Sequence, residues 1–174
     1  MLKKLSVIAL ATVSVLVLGQ TASAQSADLT EEKQAIVVQT CVSAQTVLQK
    51  IQHNDAATRV NRGQSYETLV SRRMTPLNTR ATSNEYNNSA PLLIGTTNKF
   101  QQGLDKFKKD YEKYDNSVSS ALKTKCKDKP AVFYGYLEDA RSQRQDVAND
   151  VANLSTLTGE YRVNVLKLKS EAGQ

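Results

Sequence analysis

The stretch FYGYLEDARSQRQDVANDVANLSTLTGEYRVNVLKL, residues 133–168, carries the clearest structural pattern in the chain. Alternating steps of four and three residues through it reach eleven positions, and nine of them are apolar or aromatic. A heptad pattern sustained over five repeats is typical of a long helix that packs along one seam. With Asp128 as the N-cap and Pro130 in the first turn, we predict a helix over about 129–169.

The preceding run, from Leu93 to Ala121, has the same spacing. Ser89 can cap this helix, and the lysines near 125–127 complement the negative end of its dipole, so we predict a helix over about 90–126. Only a few residues separate it from the final helix. The two must therefore be antiparallel neighbours.

A third run begins at SADLTEEKQAIVV, where a D-x-x-E start at Asp28 competes with Thr30 as the helix cap. We predict this first helix over about 29–81, followed by a polar loop over 82–91. Its apolar positions change phase partway along, and a glycine and a proline stand nearby, so we expect the helix to be bent or broken near 60–76. The predicted fold is all-α, an elongated antiparallel three-helix bundle or coiled coil.

Residues 1–24 have the three parts of a secretory signal peptide: a basic start, a fourteen-residue apolar run and an A-x-A cleavage site. The run is shorter than the about 20 residues that a spanning helix needs, although an uncleaved N-terminal anchor is the alternative. We predict cleavage, a single helical domain over 25–174 and no transmembrane span after cleavage. Loss of two lysines leaves 21 basic against 17 acidic residues, a net charge of +4. The domain would be exported and be periplasmic, cell-surface or secreted.

The two cysteines test the register of the first two helices. In two antiparallel helices of equal rise, residues at the same level have numbers whose mean is the centre of the connecting loop. The loop between the first two helices is centred near 84. The mean of Cys41 and Cys126 agrees with this centre within one residue. Both lie on apolar seams, and disulfides persist outside the cytoplasm, so we predict a Cys41–Cys126 disulfide. Two buried free thiols are the alternative. A metal site is disfavoured because His53, the only histidine, lies a dozen residues from Cys41.

The same register brings two exceptions to the apolar pattern together. Asp55 and Arg144 each interrupt a seam, and both fall in one layer near Tyr114. We predict an ion pair between Asp55 and Arg144 inside the bundle, which would set register rather than add stability. The alternative is that both side chains extend into solvent.

The sequence contains no catalytic constellation: it has one histidine, no glycine-rich phosphate loop and no carboxylate pair of glycosidase type. We predict no enzymatic activity, no cofactor and no nucleic-acid binding. Candidates for an interaction surface are Ile36, Val38 and Val42 on the first helix, and Tyr134 and Tyr136 near the start of the last. Joint exposure of the first three would mark a partner or self-association site. Packing at the helix end is the alternative for the tyrosines.

The general profile, with an export signal, a small basic mature chain and long helical hairpins, resembles that of the Skp/OmpH-like periplasmic chaperones. The chain shares no specific motif with them, has no predicted strands for a trimerising base and carries a cysteine pair, so no functional residue is transferred. We expect an exported, non-enzymatic structural or interaction module that contacts another protein or a cell-envelope component. The alternatives are a holdase-type chaperone, which the resemblance implies, and a membrane-surface protein that uses its basic face.

Overall fold

The computed structural model describes residues 29–173, and its helices form an all-α bundle, as predicted. The predicted signal peptide lies outside the described residues. The elements are α1 (Glu31–Leu69), a π-helical turn (Val70–Met74), α2 (Thr75–Ser83), α3 (Ala90–Lys123) and α4 (Pro130–Ala172). Thr30 is the N-cap of α1 and accepts a hydrogen bond from the Lys33 N–H, whereas the competing cap, Asp28, lies outside the described range.

The irregularity expected near 60–76 in the first predicted helix is the π turn at Val70–Met74, through which the helical chain continues from α1 into α2 without a loop. The wider π turn takes up the change of phase, because it adds a residue to one helical turn. The Thr75 N–H donates to the Val70 carbonyl across this turn. Pro76 follows just after the π turn, and its missing N–H removes one backbone hydrogen bond from the continuous helix there.

Helix α3 is the centre of the bundle, and all nine seam positions predicted for it are buried. Helices α3 and α4 pack closely along their lengths. Gly103 permits the closest approach, because a Cβ atom there would lie 3.2 Å from both the Asn153 Nδ2 and the Leu154 Cδ2 atoms. The α3–α4 hairpin therefore forms the rigid part of the fold, against which α1 and α2 lie.

The buried residues of α4 coincide only in part with the apolar seam predicted for this helix. Five of its positions are buried, four are half-buried, and Arg144 and Thr158 are exposed. Asp150, Leu157 and Asn164, which lie off the predicted seam, are buried. A straight α-helix drifts by about 20° per heptad relative to a strict seven-residue repeat, so the buried face moves sideways along a helix of this length.

The turn between α3 and α4 begins earlier than predicted. Helix α3 ends at Lys123, because Thr124 adopts an extended backbone, and Cys126 lies in the turn. The Gln45 side-chain amide donates to the carbonyl oxygens of Leu122 (3.3 Å) and Thr124 (3.0 Å), so α1 satisfies the carbonyl end of α3.

The caps predicted for α3 and α4 also need correction. Lys129, not Asp128, is the N-cap residue of α4, and it makes no side-chain cap bond. Ser89 is the N-cap residue of α3, but its hydroxyl makes no cap bond. Instead, the Glu171 carboxylate accepts hydrogen bonds from the backbone N–H groups of Asn88 (3.2 Å) and Ser89 (3.0 Å). The Ser89 side chain, together with these backbone groups, lowers the pKa of Glu171. The end of α4 therefore caps the start of α3.

The core consists of two clusters along the rod. The cluster near α2 is built on Met74, Phe100 and Phe107, and the edge of the Tyr66 ring packs against both phenylalanines at centroid distances of 5.8 and 6.0 Å. The cluster at the other end surrounds the two cysteines and Phe133. Between the clusters, α1 buries no side chain over residues 52–65.

Candidate functional site: the groove between α1 and α4

The predicted Cys41–Cys126 disulfide is present, with a Cα–Cα distance of 5.7 Å. Cys41 is 4% exposed and Cys126 is 1% exposed, so the bond is part of the core. It joins α1 to the turn between α3 and α4. The disulfide fixes the end of the bundle at which the groove described below begins.

Asp55 and Arg144 also form the predicted ion pair, at 3.1 Å between Arg144 Nε and Asp55 Oδ2. The Tyr114 hydroxyl donates to the same carboxylate oxygen at 2.7 Å. The pair is not inside the bundle, however, because the Arg144 side chain is 61% exposed and that of Asp55 is 22% exposed. It spans the gap between α1 and α4, which these two helices leave open.

This exposure limits the strength of the pair. In a double-mutant cycle of Asp55→Leu and Arg144→Leu, we expect a coupling of about 0.5–1 kcal/mol in the free energy of unfolding, as for other exposed pairs. Urea denaturation of the four proteins measures it. The cycle of Asp55→Leu with Arg141→Leu is the control and should be additive, because Arg141 pairs with Glu138. Zero coupling in the first cycle would show that the contact between Asp55 and Arg144 does not contribute to stability.

The gap between α1 and α4 is a groove, hereafter the α1/α4 groove, with the aromatic side chains of α3 as its floor. Its cationic section encloses about 570 Å³. An apolar section adjoins it and encloses about 500 Å³. Tyr114, Arg141 and Arg144 line both sections, so the two are continuous.

The apolar section lies toward the disulfide. Val47 and Ile51 of α1 face Leu137 and Ala140 of α4 across it. Val47 is 55% exposed and Ile51 is 36% exposed, although both are large apolar side chains. Ile51 lies three residues beyond the buried Leu48, yet the structure leaves it at the edge of an open groove.

The cationic section is lined by four arginines and one aspartate, so its lining carries a clear excess of positive charge. The guanidinium carbon of Arg59 lies 5.0 Å from the centre of the Tyr111 ring, a cation–π contact. Among the described residues, neither Arg59 nor Arg62 forms a salt bridge. Arg59 and Arg62 therefore keep hydrogen-bond donors for an anionic group.

Tyr111 contributes a further unpaired donor, its hydroxyl group. Its side chain lines the cationic section and is 6% exposed, and its hydroxyl has no hydrogen-bond partner within residues 29–173. Burial, together with the nearby carboxylates of Asp115 and Asp55, raises the pKa of Tyr111 to about 12. At neutral pH the hydroxyl is protonated and is a donor.

The predicted apolar surface of α1 is not a single patch. Ile36 and Val42 are exposed, but Val38 is half-buried. Six residues correspond to about 600° of helical rotation, so Ile36 and Val42 lie about 120° apart. Ile36 instead shares its side of the helix with Val47, eleven residues further on. The relevant apolar surface therefore faces the α1/α4 groove.

The two tyrosines at the start of α4 are not an exposed aromatic patch. Tyr134 and Tyr136 are half-buried, and Tyr136 packs against the core cluster that contains the disulfide. This agrees with packing at the helix end, the alternative considered for them.

A polar cluster between α3 and α4 was not predicted. The Lys106 ammonium donates to Asp110 Oδ2 (2.6 Å) and Asp150 Oδ1 (2.7 Å), and Lys113 donates to the other Asp110 oxygen (2.8 Å). Both carboxylates are buried, and Asp150 Oδ2 has no partner in the described part of the chain. None of these residues lines the α1/α4 groove. The i,i+4 spacing of Lys106 and Asp110 was the available sequence signal.

No protein-family model, curated protein or solved structure matches this chain. Within residues 29–173, no helix has the length and apolar character required to cross a bilayer. Over the same range, no group of three or more His, Cys, Asp or Glu side chains is placed to hold a metal ion.

Proposed function

We propose that the chain is an exported, non-enzymatic interaction module that binds a segment of another secreted or cell-envelope protein in the α1/α4 groove. The observation that carries the proposal is the open apolar section, where Val47 and Ile51 remain exposed between two helices. Solvent-exposed apolar grooves of this kind are typical of helix-binding surfaces. The disulfide supports an oxidising compartment, which agrees with the signal-like sequence of residues 1–24.

The groove is suited to binding rather than to proton transfer. The arginines are protonated at all physiological pH values, and the pKa values of Tyr111 and Tyr114 are raised well above neutrality by burial. Asp55 is already held by Arg144 and Tyr114. The closely packed α3–α4 hairpin supplies a fixed floor, which lowers the entropy cost of association.

The test is site-specific photo-cross-linking of the full chain in the organism that produces it. A benzophenone amino acid replaces Val47 in the groove or Val42, which is 64% exposed but absent from the groove lining. We expect a discrete adduct with one protein from position 47 and none from position 42. Equal labelling from both positions, or no adduct from position 47, would contradict the proposal.

Val47→Asp should abolish this adduct when the photo-reactive group is moved to position 51. A carboxylate in the apolar section removes a favourable contact and must be desolvated when the partner binds. The melting temperature should change little, because position 47 is exposed in the free protein. Val42→Asp is the matched control and should keep both the adduct and the melting temperature.

The two other functions expected from the sequence give different results in this assay. A holdase-type chaperone would yield a broad mixture of protein adducts from position 47, because it binds many unfolded chains. A membrane-surface protein would yield lipid adducts. The exposed apolar section favours the holdase over the membrane reading, since its side chains are recessed between two helices.

A further inference from the structure

We infer that the occupant of the α1/α4 groove is an amphipathic helix of a partner protein whose apolar face continues into aspartate or glutamate side chains. The inference rests on the proposed function and names the chemistry of the partner. The apolar anchors would lie in the section formed by Val47 and Ile51. The acidic side chains would meet Arg59, Arg62 and the Tyr111 hydroxyl.

The polarity of the groove changes along its axis. On α1, the apolar lining ends at Ile51 and the unpaired arginines begin at Arg59, eight residues later. At 1.5 Å per residue this is about 12 Å. An α-helix lying along the groove would therefore carry its acidic residues about two turns beyond its apolar anchors.

The shape of the groove favours a helix over a small molecule. Its lining on α1 runs from Ser43 to Arg62, about 29 Å of helix. Helices α1 and α4 both run antiparallel to α3, so they are parallel to each other and form the two walls of the groove. Small-molecule sites usually bury 70–90% of the ligand. A trough of this length instead fits about five turns of helix, which would lie over the Asp55–Arg144 pair that crosses the groove midway.

Charge complementarity selects an acidic partner. Arg59 and Arg62 have no carboxylate partner in the described chain, and the Arg144 guanidinium is held by Asp55. An Arg–carboxylate pair is often bidentate, which fixes orientation as well as adding affinity. A second copy of this chain is disfavoured as the occupant, since the mature chain is itself basic.

The Tyr111 hydroxyl gives an independent indication of a missing acceptor. More than nine-tenths of buried polar groups in proteins are hydrogen-bonded, so an unpaired buried donor requires an explanation. The Arg59 guanidinium lies over this ring. A carboxylate that draws Arg59 away from the ring would uncover the hydroxyl and accept a hydrogen bond from it.

The experiment uses the full chain in its own organism, with the benzophenone residue at position 47 or at Thr58, which lines the cationic section. Each version is made with and without Arg59→Gln/Arg62→Gln. The matched control is Arg72→Gln/Arg73→Gln, which removes the same charge from two exposed arginines of the π turn outside the groove. The partner segments joined to each position are identified by peptide sequencing.

We expect position 47 to label an apolar segment, and position 58 to label Asp- or Glu-containing residues about two turns away in the same helix. Arg59→Gln/Arg62→Gln should lower the yield from position 47 about tenfold, since two charge pairs are lost, and the control should not. Added salt should reduce the wild-type yield more than that of the double variant.

Several results would overturn the inference: a lysine- or arginine-rich segment at position 58, an adduct with a second copy, a phospholipid adduct, or an unchanged yield in Arg59→Gln/Arg62→Gln. If position 47 still labels one protein in those cases, the proposed function survives and only the partner chemistry is wrong. If position 47 labels nothing, both fail.

Discussion

Replacing Cys41 and Cys126 together with alanine is expected to lower the free energy of unfolding by about 4–5 kcal/mol. The disulfide closes a loop of 85 residues, and a cross-link of that span removes much of the conformational freedom of the unfolded chain. It also joins α1 to the α3–α4 turn at one end of the bundle. Urea denaturation of the variant and of the oxidised wild type measures the difference.

Reduced wild-type protein is the control for this result. It should unfold close to the alanine variant, because both lack the cross-link while the surrounding core is otherwise kept. A loss of less than about 1 kcal/mol in both proteins would contradict the prediction. It would mean that the unfolded chain is already compact around the two cysteine positions.

Lys106→Met should lower the free energy of unfolding by about 2–3 kcal/mol. The substitution leaves the buried Asp150 carboxylate without a cation and leaves Asp110 with Lys113 alone. Breaking a fully buried pair costs about 3–5 kcal/mol, and we place this value lower because the Lys106 side chain is 60% exposed. Lys109→Met, at an exposed position of the same helix, is the matched control and should stay within about 0.5 kcal/mol of wild type.

Acid titration gives a second test of the same cluster. The hydrogen bonds from Lys106 and Lys113 lower the pKa of Asp110 to about 2, below the about 3.9 of an unfolded chain. The folded state therefore favours the ionised carboxylate. The stabilisation that the ionised Asp110 gives to the folded state is fully present above about pH 4 and is lost as the pH falls through about 2. Asp110→Asn should flatten the fall in stability over that range, and an unchanged slope would contradict the assignment.

Apolar periodicity predicted α3 well because this helix is covered on two sides. Partners on both flanks bury its whole seam, so a pattern based on apolar residues describes it fully. The disulfide followed from the same logic, because register in an antiparallel pair depends only on the loop position. The cysteine in the turn still pairs with α1, since the change from helix to turn moves it little along the axis.

The periodicity of α1 was less informative because α1 and α4 do not close over each other. A heptad pattern predicts that all three helices pack around one core, whereas Ile51 of α1 is 36% exposed at the open groove. The π turn could not be predicted from the apolar pattern either. A change of phase in that pattern is equally consistent with a bend, a break or an added residue in the helix. Only packing of Val70 and Met74 decides between them.

The buried polar residues are the remaining feature that the sequence did not predict. Asn78 donates to Thr97 Oγ1 (2.8 Å), and Asn164 donates to Thr96 Oγ1 (3.0 Å). Such residues are buried because another helix supplies an acceptor or donor. A single-helix pattern contains no information about that partner. For the same reason, the burial of Asp110 and Asp150 beside Lys106 could not be predicted from the pattern of either helix.

The middle of α1 has no core packing, and this has a consequence for the width of the binding surface. Helix α1 is fixed near Cys41 and Leu48 at one end and near Val70 and Met74 at the other, while residues 52–65 bury nothing. Amide hydrogens in that span are protected by helical bonds alone, so they should exchange with solvent faster than those of α3. Polar contacts of Gln52, Asp55 and Arg59, rather than core packing, hold this span to α3 and α4. The groove can therefore widen for a larger occupant at the cost of those contacts, while the packed floor stays unchanged.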